Sequence, residues 1–424
     1  MNAALKKLRE SAWLRNLAVF LAVLGPGIIT GSVDNDAGGI TTYSVAGALY
    51  GYDLLWTLIP SFVALLVVQE MNARMGIVTG KGLADLIREN FGVKITFIVS
   101  LGLVAANIGN TATEFAGVAG SLAIFGVSKY LSVPLAAIGV WFLVVKGDYK
   151  STERIFLVFS LCLFSYIVSA FLAKPDWGEV GRALLRPQVQ LDGQYIYMVL
   201  GLVGTTIAPW MQFYMQAAVI EKRIKIEEYR YAFWDVVVGC VATVVVAFFI
   251  VVACAATLHK NGVVIREASD AAMSLRPFAG HFASELFAFG LFVASVFSAT
   301  ILPMATAFYV CEAFGFEAGV SKRIDEAPQF YALFAFIMAA SVAIILIPGA
   351  PLISITIGTQ VLNAMLLPVV LVSMILMVND PKIMGEHVNN RFQNLVGWAT
   401  TVILLVLTAM LLASPLVERL SGRA

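Results

Sequence analysis

Residues 31–39 read GSVDNDAGG, and they interrupt an apolar stretch that runs from residue 17 to residue 49. The interruption holds two carboxylic acids, Asp34 and Asp36, and three glycines. An ionisable side chain at membrane depth is costly and usually marks the path of an ion or a substrate, and glycine allows the backbone to unwind there. Because no Lys or Arg lies nearby in the sequence, we predict a broken membrane helix whose two acids bind a cation.

The composition is that of a membrane protein. Of the 424 residues, 60% are hydrophobic and 13% are charged, which is about half of the roughly 25% usual in soluble domains. This excludes a soluble enzyme, a secreted disulfide scaffold and a disordered protein. The net charge of +1 gives no reason to expect a nucleic-acid partner. The four cysteines show neither disulfide nor zinc spacing.

Eleven stretches are apolar enough to cross a bilayer, which takes about 20 residues of helix. They are 17–49, 54–73, 95–125, 131–146, 153–173, 195–221, 232–258, 283–314, 328–348, 352–378 and 393–413. With the N-terminus in the cytoplasm, 19 of the 28 Lys and Arg residues fall on the inner side, as the positive-inside rule requires. We therefore predict a multi-pass protein of the cell inner (plasma) membrane with an extracytoplasmic C-terminus. No loop is long enough for a soluble domain, so we expect residues 1–424 to form a single integral membrane transport domain.

A second interruption, GTTIAPW at residues 204–210, lies in the sixth stretch. Proline removes a helix hydrogen bond and frees carbonyl groups, and irregular backbone at membrane depth is tolerated only in a cavity wall or inside protein. Breaks in the first and sixth spans are typical of transporters built from two inverted five-span repeats. We expect repeat one at about 17–173, repeat two at about 195–378, and an extra helix at about 393–413.

Five short motifs narrow the fold further: GPG at 25–27, DAGG at 36–39, GALYGYDLLW at 47–56, RMGIVTGK at 74–81 and a segment of the eighth span at 290–312. Together they resemble the Nramp (natural resistance-associated macrophage protein) divalent-metal transporters. The resemblance implies an all-α membrane protein with eleven transmembrane helices, a LeuT-like 5+5 inverted repeat and broken helices 1 and 6. It also implies a secondary transporter working by alternating access, and not an enzyme.

Three departures from the family pattern bear on the substrate. The family's DPGN is DAGG at 36–39, and its MPH is APW at 208–210, so an amide, a thioether and a histidine are lost. The family's ATDLAE aligns with ATEFAG at 112–117. One acid is kept as Glu114, whereas the second, associated with proton movement, is replaced by Gly117. This pattern is similar to that of the divergent, Nramp-related magnesium transporters.

The resemblance and these substitutions imply a cation site that offers only oxygen ligands. Its predicted positions are Asp36, Asp34, Val33, Gly39, Thr205, Ala208, Gln212 and Gln360. Residues predicted to line the cavity or support the ligands are Trp210, Glu114 and Asn363. Thioethers add little for Mg²⁺, which usually keeps several waters. Because Gly39 and Ala208 are small, we expect a widened cavity for hydrated Mg²⁺ that also accepts Mn²⁺.

Proton coupling is expected to be weak. Histidine is the side chain that titrates near neutral pH, and the three histidines, His259, His281 and His387, all lie in predicted loops. With Gly117 in place of an acid, the proton route is interrupted at two places. We predict transport driven by the metal gradient and the membrane potential.

Several alternatives remain open at this stage. One is a proton-coupled Mn²⁺/Fe²⁺ importer of the ordinary Nramp type, and a more distant one is an organic-substrate transporter on the same fold. A channel, an intramembrane enzyme and a receptor-like sensor find less support, since the sequence has no intramembrane-protease motif and no signalling domain. We expect a divalent metal ion and the lipid bilayer as the only partners, with no cofactor and no obligate protein partner.

Overall fold

The structure is a computed structural model that describes residues 25–146, 165–266, 271, 281–319 and 322–420. All regular secondary structure in these residues is helical. In chain order the α-helices are α1 (Pro26–Asp34), α2 (Ala37–Tyr50), α3 (Leu58–Thr79), α4 (Leu83–Phe91), α5 (Val93–Ala123), α6 (Lys129–Lys146), α7 (Ser165–Leu172), α8 (Trp177–Leu185), α9 (Gly193–Thr206), α10 (Pro209–Glu221), α11 (Tyr229–Thr257), α12 (His281–Phe314), α13 (Pro328–Leu346), α14 (Leu352–Val378), α15 (Pro381–Met384) and α16 (Arg391–Leu420).

Within the described residues, nine helical segments are long and apolar enough to cross a membrane. The protein is therefore a multi-pass membrane protein. The first predicted span is not among the nine; its described part consists of two short helices, α1 and α2. The fifth predicted span, 153–173, lies largely outside the described residues, which include only its last part as α7. The described residues therefore do not test the predicted number of eleven membrane spans.

The first break falls between α1 and α2, at Asn35 and Asp36. Asn35 leaves the helical conformation, and Asp36 is extended, with its side chain accepting a hydrogen bond from the Gly39 backbone amide at 2.6 Å. Asp36 is thus the N-cap of α2, a position where aspartate satisfies amides that have no partner within the helix. The Asn35 side chain donates to the Thr243 carbonyl of α11 at 3.1 Å, which holds the unwound segment.

The second break separates α9 from α10. The backbone is extended at Ala208, and Pro209 is the first residue of α10. Proline disfavours the helical conformation in the residue before it, yet it suits the first turn of a helix, where its missing amide hydrogen has no helical partner. One proline therefore both ends α9 and starts α10. Tyr43 of α2 and Thr206 of α9 share a hydrogen bond of 2.8 Å, which joins the two broken spans.

α1 is fastened to α11 by a buried carboxylate. Asp235 accepts hydrogen bonds from the backbone amides of Gly25 at 3.0 Å, Gly27 at 2.6 Å and Ile28 at 3.3 Å. Its side chain is only 2% exposed. The two helices also touch backbone to backbone, since an added Cβ at Gly31 would lie 2.5 Å from the Gly239 carbonyl oxygen. Asp235 therefore caps a helix other than its own.

Candidate functional site

Three acids meet at the first break. Asp36 lies at the start of α2, and Glu114 of α5 accepts a hydrogen bond from the Ala37 backbone amide at 3.1 Å. The carboxyl groups of Glu114 and Asp36 thus both accept from backbone amides in the first turn of α2. Asp34 is the last residue of α1. All three are buried, at 2%, 5% and 0% exposure for Asp34, Asp36 and Glu114, so three acidic side chains lie close to the break and away from the protein surface.

Asp34 has no hydrogen-bond partner for either carboxylate oxygen within the part of the chain that the structure describes. Glu114 likewise leaves one oxygen without a partner. A buried charge without a partner is strongly unfavourable unless a counter-charge approaches. A cation entering this region would therefore be attracted by both carboxylates.

Oxygens converge around Gly39. An added Cβ on this residue would lie 2.6 Å from the Asp34 carbonyl oxygen and 3.4 Å from both Asp36 Oδ1 and Thr205 Oγ1. Residues from both breaks thus surround one point. In this conformation the Asp34 carbonyl lies where a side chain at Gly39 would begin. The wider cavity expected from Gly39 and Ala208 stays a prediction.

The second break contributes further polar groups. Gln212 donates from Nε2 to the Ala208 carbonyl at 3.4 Å, while its Oε1 has no partner among the described residues. The Val33 carbonyl, predicted to be free, accepts a long hydrogen bond of 3.4 Å from the Ser298 hydroxyl. Trp210 is 2% exposed, and its ring centroid lies 6.4 Å from that of Tyr214.

Gln360 approaches the break from α14, with its amide nitrogen foremost. Its Nε2 would lie 2.5 Å from a Cβ added to Gly38. Its Oε1 accepts a hydrogen bond from Asn363 Nδ2 at 2.9 Å. The predicted ligand therefore turns a donor towards the break, and Asn363 holds it in that orientation.

Two positions at which the family pattern has a titratable side chain, Gly117 and Met215, are closely packed in this structure. A side chain at Gly117 would collide with Ser295 and with the Ala37 side chain, so no room exists there for an acid in this conformation. Met215, at the family's second histidine position, is buried on α10. His387 lies in a loop, as predicted. His259 instead begins a 3₁₀ turn, His259–Asn261, that follows α11 directly, and His281 is the first residue of α12.

Two cavities flank the site, and they differ in size. One of about 280 Å³ opens between residues 123–129 and 349–356 and extends to Thr113 and Gly117 on the helix turn of Glu114. The other, of about 10 Å³, lies between α1, α3, α10 and α11, and its lining includes Gln69 and Met211. In the predicted orientation, with the N-terminus in the cytoplasm, the cavity of about 280 Å³ is on the outer side and that of about 10 Å³ is on the inner side.

Side chains of His, Cys, Asp and Glu do not form a complete metal site in the described part of the chain. Among the described residues, no group of three or more His, Cys, Asp or Glu side chains could hold a metal ion. A cation at the break would need backbone carbonyls, hydroxyls, amides or water in addition to carboxylates. Ser298 of α12 and Thr243 of α11 hold the unwound segment, and neither was predicted as a site residue. An isolated Ser or Thr in an apolar span gives no signal of such a contact.

Comparisons with known proteins agree with this architecture. The profile described as "Natural resistance-associated macrophage protein-like" (Nramp) matches residues 27–414. The "Divalent metal cation transporter MntH" of Yersinia pestis and that of Yersinia pseudotuberculosis are each 26% identical over 405 residues, which cover 93% of this chain and 95% of the relative.

Solved structures match over almost the whole chain. The crystal structure of the Eremococcus coleocola manganese transporter with a bound aromatic bis-isothiourea compound has a TM-score of 0.75 and 22% identity, covering 96% of this chain and 87% of that one. A histidine-to-alanine mutant of the same transporter has a TM-score of 0.76 and 21% identity, covering 97% and 89%. These likenesses show a shared LeuT-like fold. With the family profile spanning both breaks and all nine described spans, the chain belongs to the Nramp family.

Proposed function

We propose that this protein is a secondary transporter that imports divalent cations, with Mg²⁺ as the main substrate and Mn²⁺ as a second one, and that it works without proton coupling. It resides in the plasma membrane with its N-terminus in the cytoplasm. It is not an enzyme, and the metal ion is cargo and not a cofactor.

The observation that carries this proposal is the chemistry of the two breaks. Asp36 and Asp34 supply buried negative charge, and Thr205 and the Asp34 carbonyl supply neutral oxygens beside them. Ala208 stands where a thioether would select softer metals. Mg²⁺ is a hard cation that prefers oxygen ligands and usually keeps several of its own water molecules.

Uncoupled transport is supported by the packing around Gly117. The space that an acid would need is taken by Ser295 and Ala37. His259 lies only in the last turn of its candidate span, Ile226–Asn261, and Met215 occupies the position of the family's second histidine. The driving force does not require protons, because a divalent cation moving inward gains about 4.6 kcal/mol per 100 mV of membrane potential.

In the proposed cycle, the cation enters the outer cavity and loses part of its water beside Asp36. The two half-spans α1 and α10 then move relative to the other helices, and α1 carries with it the end of α11 to which Asp235 binds it. The outer side closes and the inner cavity of about 10 Å³ expands. Gly38 and Gly39, together with the extended residues at both breaks, give the backbone freedom for this movement.

The test is uptake into liposomes that contain the purified protein, one dye for Mg²⁺ and a second dye for internal pH. We expect Mg²⁺ entry that rises with an inside-negative potential, without acidification. Mn²⁺ entry with acidification and without a Mg²⁺ signal would overturn the proposal.

That second result would favour the other candidate, a proton-coupled Mn²⁺ importer. The names of the Yersinia relatives and of the Eremococcus coleocola manganese transporter favour this candidate. The replacements at 208–210 and at Gly117 oppose it, because they remove the soft ligand and an acid that the family pattern carries.

A further inference from the structure

A chain of side-chain amides crosses the scaffold from α12 to the first break. It consists of Thr306 on α12, Asn107 and Asn110 on α5, and Asn363 and Gln360 on α14, and every member is buried. The chain ends at Gln360 Nε2, beside Gly38. We call these five residues the amide relay.

The direction of the amide relay is set at Thr306. The Thr306 hydroxyl donates to the Leu302 carbonyl at 3.0 Å, so its oxygen is left to accept from Asn107 Nδ2 at 2.8 Å. Since an amide has donors only on nitrogen and acceptors only on oxygen, Asn107 must turn its oxygen towards Asn110. Asn110 Nδ2 indeed donates to Asn107 Oδ1 at 3.1 Å.

The same polarity continues to the break. Asn110 Oδ1 accepts from Asn363 Nδ2 at 3.1 Å and from Gln360 Nε2 at 3.4 Å. Asn363 Nδ2 also donates to Gln360 Oε1 at 2.9 Å, while Asn363 Oδ1 accepts from Asn110 Nδ2 at 3.3 Å. The oxygen of Gln360 is therefore occupied by Asn363, and only the nitrogen is left to face Gly38.

This orientation decides which cations gain from Gln360. A metal ion binds to the oxygen of an amide and is repelled by its N–H groups. To become a ligand, Gln360 must rotate its amide so that the oxygen faces the cation. The rotation breaks the hydrogen bond that Gln360 Oε1 accepts from Asn363. It also opposes the direction of the hydrogen bonds that Thr306 imposes on the asparagines. A cation that keeps its water needs no such rotation, whereas Mn²⁺ and Ca²⁺ gain more from a protein ligand.

We propose that the amide relay is a specificity-determining device in which Thr306 and the three asparagines act as positioning residues, keeping the Gln360 oxygen away from the cation path and so favouring a hydrated cation over Mn²⁺ and Ca²⁺. The inference rests on the proposed function and deepens it. It assigns discrimination to Thr306, which reaches Gln360 only through the side chains of Asn107, Asn110 and Asn363.

The test compares Thr306→Val with Thr306→Ser in proteoliposomes. Val has the shape of Thr without the hydroxyl, whereas Ser keeps the hydroxyl and loses only a methyl group. We expect Thr306→Val to lower the KM for Mn²⁺ and Ca²⁺ relative to that for Mg²⁺ by about fivefold, the size of effect expected from one neutral hydrogen bond. Thr306→Ser should retain the wild-type KM ratios. A purely structural role would lower the amount of active protein and change kcat for all ions equally.

Asn363→Leu provides a second variant should Thr306→Val fail to fold, because it frees the Gln360 oxygen directly and should shift the KM ratios in the same direction. If the unmodified protein takes up Mg²⁺ but a folded Thr306→Val or Asn363→Leu variant has unchanged KM ratios between the ions, this inference alone is overturned. Wild-type protein that carries no divalent cation would overturn the proposed function and this inference with it.

Discussion

Asp36 has two roles in this structure, and a pair of substitutions separates them. Its carboxylate caps α2 by accepting from the Gly39 amide at 2.6 Å, and it is also the predicted centre of the cation site. Asn caps helices about as well as Asp does, whereas Ala does not. Asp36→Asn therefore removes the charge and keeps the cap, while Asp36→Ala removes both.

The expected size of the charge effect follows from Coulomb's law. A divalent cation about 5 Å from a unit charge is stabilised by roughly 7 kcal/mol at an effective dielectric constant of 20. Even if desolvation leaves only about 2 kcal/mol of this, the apparent affinity falls about thirtyfold. We expect both variants to raise the KM for Mg²⁺ at least that much, or to abolish uptake.

The cap effect is read from thermal stability of the purified protein. Asp36→Asn should melt at the wild-type temperature, and Asp36→Ala should melt lower because a lost N-cap costs about 1 kcal/mol. Asp380→Asn is the matched control, since Asp380 is also an N-cap aspartate, on α15, and accepts from the Lys382 amide at 2.8 Å. It should leave uptake unchanged. Wild-type Mg²⁺ uptake by Asp36→Asn would refute the site, and equal melting of the two Asp36 variants would refute the capping role.

Three further outcomes are expected. Gly117→Glu should reduce transport and should not create proton coupling, because the new side chain collides with its neighbours; metal-dependent acidification in the pH-dye assay would contradict this. Arg74→Met should reduce the free energy of unfolding by about 3 kcal/mol and so lower the melting temperature, since it leaves the buried Glu70 without its ion-pair partner at 2.7 Å. Replacing both residues by Met should restore much of this loss. A double variant that is no more stable than Arg74→Met would contradict this explanation. In a background without native cysteines, Ala116→Cys in the 280 Å³ cavity should react with a membrane-impermeant thiol reagent added outside, whereas Met211→Cys beside the 10 Å³ cavity should not; the reverse pattern would show that the outer side is the closed one.

The breaks were predictable because their signals are local. Two acids among glycines at 31–39 predicted the interruption that the structure has at Asn35 and Asp36. Proline at 209 predicted an interruption of the sixth span, and the structure has one at Ile207 and Ala208, with Pro209 as the first residue of α10. Each signal acts on its own stretch of backbone, so it can be read without knowing what packs around it.

Other features depend on residues far apart in the chain, and they could not be predicted. Which atom of Gln360 faces the break is decided by Asn363 and, through three helices, by Thr306. The position of the Asp34 carbonyl beside Gly39 is likewise set by how α1 approaches α2, which no local pattern shows. The sequence identifies which chemical groups are present, while long-range packing determines how they are oriented.

The cap that Asp235 provides for α1 has a consequence for inhibition. Three hydrogen bonds to a charged group contribute about 5 kcal/mol or more to stability. The free-energy difference between two conformations of a protein is of similar size, a few kcal/mol. α1 therefore does not swing away by itself; it carries the N-terminal end of α11 with it. Trp234, beside Asp235 on α11, is 50% exposed. An antibody fragment or small molecule that immobilised this end of α11 would stop the transport cycle without reaching the cation path, and metal ions would not compete with it.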